Sequence, residues 1–136
     1  MKKEISALSF SEKERICENE FMLNGPYWHV YTDGTKMQNI FCSDDDFNLG
    51  MWVLASATCI VTDCRIITFE LMSNHLHLIM SGHKERCLEF FEVLTSRLKR
   101  VITRKGNLLN WNRFCAEIHP IETLQALRNE IIYVNR

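Results

Sequence analysis

The sequence predicts an α+β sandwich, in which helices pack on one face of an antiparallel four-stranded sheet. Three observations favour this class. After residue 26, strand-like and helix-like segments follow one another as strand, helix, two strands, helix, strand and helix. The two central strands are separated only by Ser73-Asn74, which is typical of a hairpin. The helix-like segments that start near residue 44 and at His83 are long and periodic enough to cover a sheet.

Residues 1–25 form a polar segment that we expect to be a helical extension in front of the main domain. Asn24-Gly25-Pro26 should end this helix, because glycine and proline both interrupt helices. The predicted boundaries are therefore 1–25 for the extension and 26–136 for the domain. The domain opens with the aromatic and β-branched run Tyr27–Thr32, a predicted strand that ends at Asp33-Gly34.

The first long helix of the domain should begin near residue 44. The Ser43 hydroxyl can cap it, and the three aspartates that follow favour a helix N-terminus electrostatically. Its apolar side is expected to consist of Phe47, Met51, Leu54, Ala55 and Thr58.

The remaining segments complete the order. Arg65–Met72 and the run from His75 to Ser81 are the hairpin strands, and Arg113–Pro120 is a short strand that Pro120 should cut. The helix from His83 to Arg104 is stopped by Gly106-Asn107, and Ile121–Arg136 is the last helix. This order is that of a ferredoxin-like sandwich. The stripe of the long helix is expected to be Leu88, Phe91, Leu94, Leu98 and Val101 or Ile102.

Composition and length indicate one globular domain. The chain has 136 residues, of which 46% are hydrophobic and 24% charged, and its formal net charge is −1. No apolar run approaches the ~20 residues of a membrane helix, and the N-terminus lacks a secretory signal pattern. The six cysteines include no C-x-x-C pair, which argues against a zinc ribbon or a disulfide scaffold. We therefore expect a cytoplasmic protein with reduced cysteines.

The charges are unevenly distributed along the chain. No acidic residue lies between Glu92 and Glu117. The basic residues of this interval are Arg97, Lys99, Arg100, Arg104, Lys105 and Arg113. Such a block in a nearly neutral protein favours a polyanionic partner on one face. A solvated helix face accounts for the same pattern, so the block alone leaves both interpretations open.

His75 and His77 lie inside an apolar strand, in the run HLHLIM. Because strand side chains alternate, Leu76, Leu78 and Met80 should face the helices while both histidines point the other way. Two imidazoles on one face, with Cα atoms ~6–7 Å apart, can converge on one divalent ion. The alternative is two half-exposed histidines with no ligand, and an H-x-H pattern by itself is a weak signal.

The surrounding residues sharpen this hypothesis. LMSNHLHLIM, from Leu71 to Met80, resembles the M-P-N-H-x-H signature of the HUH single-tyrosine transposases, which include insertion-sequence enzymes and REP-associated tyrosine transposases. The resemblance extends over roughly residues 27–133. Ser73 stands where family members often have proline, and either residue suits a turn.

The resemblance implies a mechanism and its residues. The Tyr133 phenolate would attack a DNA phosphodiester to form a 5′-phosphotyrosine link and a free 3′-OH. His75 and His77 would hold a divalent ion, Mg²⁺ or Mn²⁺, and the partner would be single-stranded or hairpin DNA. The helix pattern agrees, because the apolar stripe Leu124, Leu127, Ile131 and Val134 leaves Tyr133 off the core side.

Two expectations about this family stay open. Members usually carry a third metal ligand one helical turn after the tyrosine, which would fall one position beyond Arg136. The copy could be truncated, or the ligand could come from elsewhere, with Asn129 or Asn135 as poor substitutes. A homodimer is a further expectation, since both hairpin strands are apolar and could pair at an edge.

Three functions therefore compete. The first is a metal-dependent enzyme that nicks and joins single-stranded DNA, with Tyr133, His75 and His77 as catalytic residues and the basic block as the DNA-binding surface. The second is an inactive transposase relative that binds DNA hairpins. The third is an unrelated ferredoxin-like binding domain whose histidine pair is incidental.

Overall fold

The structure of the protein, a computed structural model, describes residues 7–136. In chain order its elements are α1 (Phe10–Asn24), β1 (Tyr27–Tyr31), α2 (Asp44–Ile60), β2 (Arg65–Leu71), β3 (Leu76–Ser81), α3 (Lys84–Arg104), β4 (Glu117–Ile121) and α4 (Leu124–Val134), with short 3-10 helices at Gly34–Lys36 and Trp111–Arg113. The expected helical extension, the hairpin and the long second covering helix are all present, although residues 1–6 of the extension lie outside the described residues.

The four strands form one antiparallel sheet in the order β2-β3-β1-β4. Together with α2 after β1 and α3 after β3, this is the predicted ferredoxin-like α+β order. The strands β3 and β1 occupy the centre of the sheet, so residues on β3 have neighbours on both sides. Glu70 of β2 and Tyr31 of β1 lie directly opposite His77 of β3.

One face of the sheet packs under α2 and α3. Leu76, Leu78 and Met80 of β3 are at most 1% exposed and belong to the main core. The long helix α3 contributes its predicted stripe, of which Phe91, Leu94 and Leu98 are buried. The start of α2 is capped as predicted, because the Ser43 hydroxyl accepts a hydrogen bond from the Asp46 amide at 3.2 Å.

The core side of α2 differs from the expected one. Met51, Ala55 and Thr58 are exposed. The buried residues of this helix are Asp46, Gly50, Val53, Leu54 and Ala57. The helix lies so close to the loop before it that a Cβ at Gly50 would stand 2.6 Å from Phe41 Cε1. The helix therefore approaches the core closely at Gly50, and Trp52 on its outer side is 76% exposed.

The opposite face of the sheet is covered at one end by α1 and α4, whereas the sequence predicted helices on one face only. A second apolar cluster joins these helices to the strands and consists of Phe21, Tyr27, Ile79, Ile121, Leu127 and Val134. The Arg128 guanidinium also donates to both carboxylate oxygens of Glu14, at 3.2 and 3.0 Å, and so links α4 to α1. Helices cover both faces of the sheet because β3 also carries an apolar residue, Ile79, on this second face.

The sheet edges are β2 and β4. The expectation that both hairpin strands offer an edge for dimer pairing is wrong for β3, because β3 pairs with β2 and β1. Pro120 does not cut β4 but lies within it, opposite Trp28, which an edge strand tolerates. Within residues 7–136, no helix combines the length and the hydropathy needed to cross a membrane.

Candidate active site

A polar, histidine-rich surface covers the part of the second sheet face that the apolar cluster leaves open. Strand alternation and register bring together His29 and Tyr31 of β1, Glu70 of β2, His77 of β3 and His119 of β4. His75 borders it from the turn before β3, and Glu130 and Tyr133 border it from α4. Residues from five elements therefore line one open surface.

His75 and His77 lie on the same face of the sheet, as predicted. Their ring centroids are 5.4 Å apart and their planes meet at 80°. Two imidazoles whose nitrogens each bind one ion at ~2 Å have centroids roughly 5 Å apart. The separation therefore suits a shared ion.

Asn74 determines which nitrogen His75 presents. Its amide Nδ2 donates to the carbonyls of Gly34 and Met37, at 2.7 and 3.1 Å. The side-chain oxygen of Asn74 is therefore the atom that lies 2.8 Å from His75 Nδ1, and it accepts the Nδ1 proton. In the neutral ring this leaves the lone pair on Nε2, the nitrogen available to a metal.

Gly34 permits this arrangement. A Cβ at this position would stand 2.7 Å from His75 Nδ1 and 2.9 Å from Asn74 Oδ1. Any side chain would therefore push the His75–Asn74 pair away. The glycine was predicted only as a strand terminator, and its contact with the histidine was not visible in the sequence.

Tyr133 lies over the histidines, because α4 packs on this face of the sheet. Its ring centroid is 5.9 Å from that of His77 and 6.3 Å from that of His29, both in edge-on orientation. The side chain is 55% exposed, so the phenol is accessible from solvent. Two grooves meet here, one on each side, and both are lined by Tyr133 and His77.

Sequence reasoning missed His29, His119 and Glu130. His29 Nδ1 lies 3.1 Å from Glu130 Oε2, and its Nε2 lies 3.0 Å from His77 Nδ1. The Tyr31 hydroxyl lies 3.1 Å from His119 Nε2. Alternation along YWHVYT would have placed His29 with Tyr31, but the pairing of β1 with β3 was needed to bring it to His77.

The expected substitutes for a third metal ligand are not at the site. The Asn135 amide donates to Thr68 Oγ1 at 3.0 Å, and Asn129 accepts from Gln125 at 3.0 Å. Within residues 7–136, no group of three or more His, Cys, Asp or Glu side chains is arranged to hold a metal ion. The histidine pair therefore remains the candidate donor set.

The basic block lies away from this surface. Arg97, Arg100 and Arg104 line a groove between α2 and α3, on the sheet face that these two helices cover, together with Trp52. Lys105 is paired with Asp46, and Lys99 and Arg113 are exposed. The structure thus brings His75, His77 and Tyr133 together, and it separates them from the expected DNA-binding residues.

Burial lowers the pKa of two imidazoles at the site. Burial, and then the neighbouring His119, lower the pKa of His29. Burial also lowers the pKa of His77, with smaller contributions from His29 and His75. The Tyr31 pKa is raised, chiefly by its hydrogen bond with Glu117. Burial therefore favours the neutral form of both central histidines, which is the form in which imidazole binds a metal.

We expect His29 and His77 to titrate below the ordinary histidine value of 6.5 in the metal-free protein. Because the unfolded chain titrates near 6.5, it binds more protons than the folded state between the two values. The free energy of unfolding should then fall as the pH falls through this window. Imidazole NMR titration measures the first effect and denaturant unfolding the second. A pKa of His29 above 6.5 would contradict the expectation. So would a His29→Asn variant whose free energy of unfolding changes with pH as steeply as that of the wild type.

Comparisons with known proteins agree at the level of fold. No protein-family model and no curated protein matches the chain. Among solved structures, a REP-associated tyrosine transposase bound to a REP hairpin is similar to this chain, with a TM-score of 0.63 and 11% sequence identity. The match covers 82% of this chain and 65% of the transposase, so this chain spans less than two thirds of the length of that protein. A candidate transposase from Deinococcus radiodurans R1 is also similar, with a TM-score of 0.52 and 12% sequence identity. That match covers 98% of this chain and 94% of the other protein. The chain therefore shares the fold of tyrosine transposases, as the resemblance implied.

Proposed function

We propose that this protein is a transposase-like enzyme that nicks and rejoins single-stranded or hairpin DNA through a 5′-phosphotyrosine intermediate. The observation that carries the proposal is the accessible Tyr133, whose ring lies 5.9 Å from His77, beside a second histidine on the same face. The solved relative with a TM-score of 0.63 is bound to a DNA hairpin, which supports the substrate class. The proposed functional domain is 26–136, with residues 1–25 as an extension whose helix α1 packs against α4.

The Tyr133 side chain supplies the nucleophile. Its oxygen forms a bond to phosphorus while the bond from phosphorus to the 3′ oxygen breaks. The phenol proton passes to solvent, and the leaving 3′ oxygen takes up a proton. The phosphotyrosine ester keeps the energy of the broken bond, so a 3′-OH of another strand can reverse the step without a nucleotide cofactor.

The residues present fit a divalent ion such as Mg²⁺ or Mn²⁺. His75 and His77 would hold it through Nε2, since Asn74 occupies the Nδ1 side of His75 and His29 occupies the Nδ1 side of His77. When bound, such an ion polarises a non-bridging phosphate oxygen and offsets the negative charge near Tyr133. The imidazoles orient the scissile phosphate in front of the tyrosine, and the grooves beside Tyr133 leave room for the strand.

A separate surface would give most of the affinity. Arg97, Lys99, Arg100, Arg104, Lys105 and Arg113 are the proposed DNA-binding residues. The groove of Arg97, Arg100 and Arg104 also presents the exposed indole of Trp52, and aromatic side chains stack on unpaired bases. Because this groove and Tyr133 lie on opposite sides of the sheet, the substrate must be long enough to reach both, as a hairpin with a single-stranded flank is.

The competing function is a relative that binds hairpins without cutting them. It shares the fold and the basic groove, so only a chemical readout separates it from the enzyme. A covalent protein–DNA product decides between them.

Tyr133→Phe should abolish a covalent adduct with labelled hairpin DNA in the presence of Mn²⁺, because it removes only the attacking oxygen. Binding of the hairpin should stay nearly unchanged, since the basic groove is on other helices. Denaturing electrophoresis detects the adduct. Tyr31→Phe is the matched control on the same surface, and it should still form the adduct. An adduct that persists in Tyr133→Phe would transfer the role of nucleophile to another tyrosine.

Replacing Arg97, Arg100 and Arg104 by alanine should weaken DNA binding and flatten its salt dependence. The slope of log K against log salt should change by ~0.7 for each phosphate of a single strand that the variant no longer neutralises. Fluorescence anisotropy at several salt concentrations measures it. A triple variant of Lys13, Arg15 and Arg65, with the same change of charge, is the control. An equal effect of both triples would exclude the groove as the DNA-binding surface.

A further inference from the structure

We propose that Glu130 and His29 are positioning residues that hold His77 in the tautomer with its Nε2 lone pair free. The inference rests on the proposed role of His77 as a metal-binding histidine. It extends that role to two residues outside the sequence motif, one on β1 and one on the helix that carries Tyr133.

Two short contacts form a chain across the surface. Glu130 Oε2 lies 3.1 Å from His29 Nδ1, and His29 Nε2 lies 3.0 Å from His77 Nδ1. His29 is 8% exposed, so both ring nitrogens find their partners within the protein. A buried imidazole with a fixed partner at each nitrogen has little freedom to rotate or to exchange its proton with water.

The contact between Glu130 and His29 determines which nitrogen donates and which accepts in each hydrogen bond. A carboxylate oxygen can only accept, so His29 Nδ1 donates to Glu130. A neutral imidazole carries one N–H, so His29 Nε2 accepts. His77 must then donate from Nδ1, which leaves its Nε2 with the lone pair. Without the carboxylate, His29 could carry its proton on Nε2 and would then force the opposite tautomer on His77.

Because of this chain of hydrogen bonds, His75 and His77 both present Nε2 to the open surface. Asn74 accepts the Nδ1 proton of His75, and His29 accepts that of His77. Such hydrogen bonds to the far nitrogen orient metal-binding imidazoles and fix their tautomers. The two supports come from different elements, since Asn74 belongs to the turn before β3 and His29 to β1.

Glu130 also couples the histidine to the tyrosine. It lies on α4 one turn before Tyr133, and both line the same groove as His29 and His77. A shift of α4 that moves Tyr133 would therefore also break the contact from Glu130 to His29. The ring of His77 and the nucleophile are held by one helix, so the two halves of the proposed site are positioned together.

Long-range proton–nitrogen NMR spectra of the metal-free protein, without DNA, test the chain directly. We expect His29 and His77 in the Nδ1–H form, and Glu130→Leu should convert His77 to the Nε2–H form. Glu130→Gln keeps an acceptor oxygen and should preserve the wild-type tautomer. An Nε2–H form of His77 in the wild-type protein overturns the proposal even if the protein cuts DNA. This measurement on the wild type requires no variant.

Mn²⁺ affinity, measured by calorimetry, provides the second readout. Glu130→Leu should lower it about 10- to 100-fold, the usual effect of removing a residue that orients a ligand, and Glu130→Gln should largely restore it. Glu92→Leu, an exposed glutamate on α3, is the matched control and should bind as the wild type does. Unchanged affinity and tautomer in Glu130→Leu would overturn the proposal and leave Glu130 as a hydrogen-bond partner of His29 with no effect on His77. Absence of a DNA adduct would instead count against the nuclease function and leave the tautomers as they are.

Discussion

The alternation of side chains along β3 determines which residues enter the core and which face the candidate site. Leu76, Leu78 and Met80 are buried under α2 and α3, and this fixes the register of a central strand that is paired on both sides. Once these three residues face the core, His77 must face the other way. A slip of one residue would bury the histidine and expose the leucines, so the energy that stabilises the core also determines where the histidine lies.

The second face combines a small apolar cluster with a polar surface. Ile79 belongs to that cluster and follows His77 by two residues on the same face, so α4 can pack on the strand while its last turn lies over the histidine. Leu127 and Val134 are buried there, and Tyr133 remains accessible because it lies beside the packed side of the helix. The placement of the tyrosine therefore depends on apolar contacts next to the site rather than within it.

The fold and part of the site could be predicted from the sequence, because they depend on periodicity within single segments. The strand alternation placed His75 and His77 together, and the stripe on α4 left Tyr133 outside the core. The side of α2 that packs was predicted wrongly, since Met51 lies outside the core while Gly50 allows the helix to approach Phe41 closely. His29 and Glu130 were missed because their contacts arise from the pairing of β1 with β3 and from the docking of α4, which no local pattern encodes.

We propose that His75 and His77 form one divalent-ion site beneath Tyr133. Paramagnetic broadening of NMR signals by substoichiometric Mn²⁺ tests it most directly, because the effect falls steeply with distance from the ion. The imidazole signals of His75 and His77 should disappear first and the Tyr133 ring signals next, while the indole signal of Trp52, on the opposite side of the sheet, should stay sharp. Broadening of Trp52 before the histidines, or uniform broadening of all these signals, would contradict it.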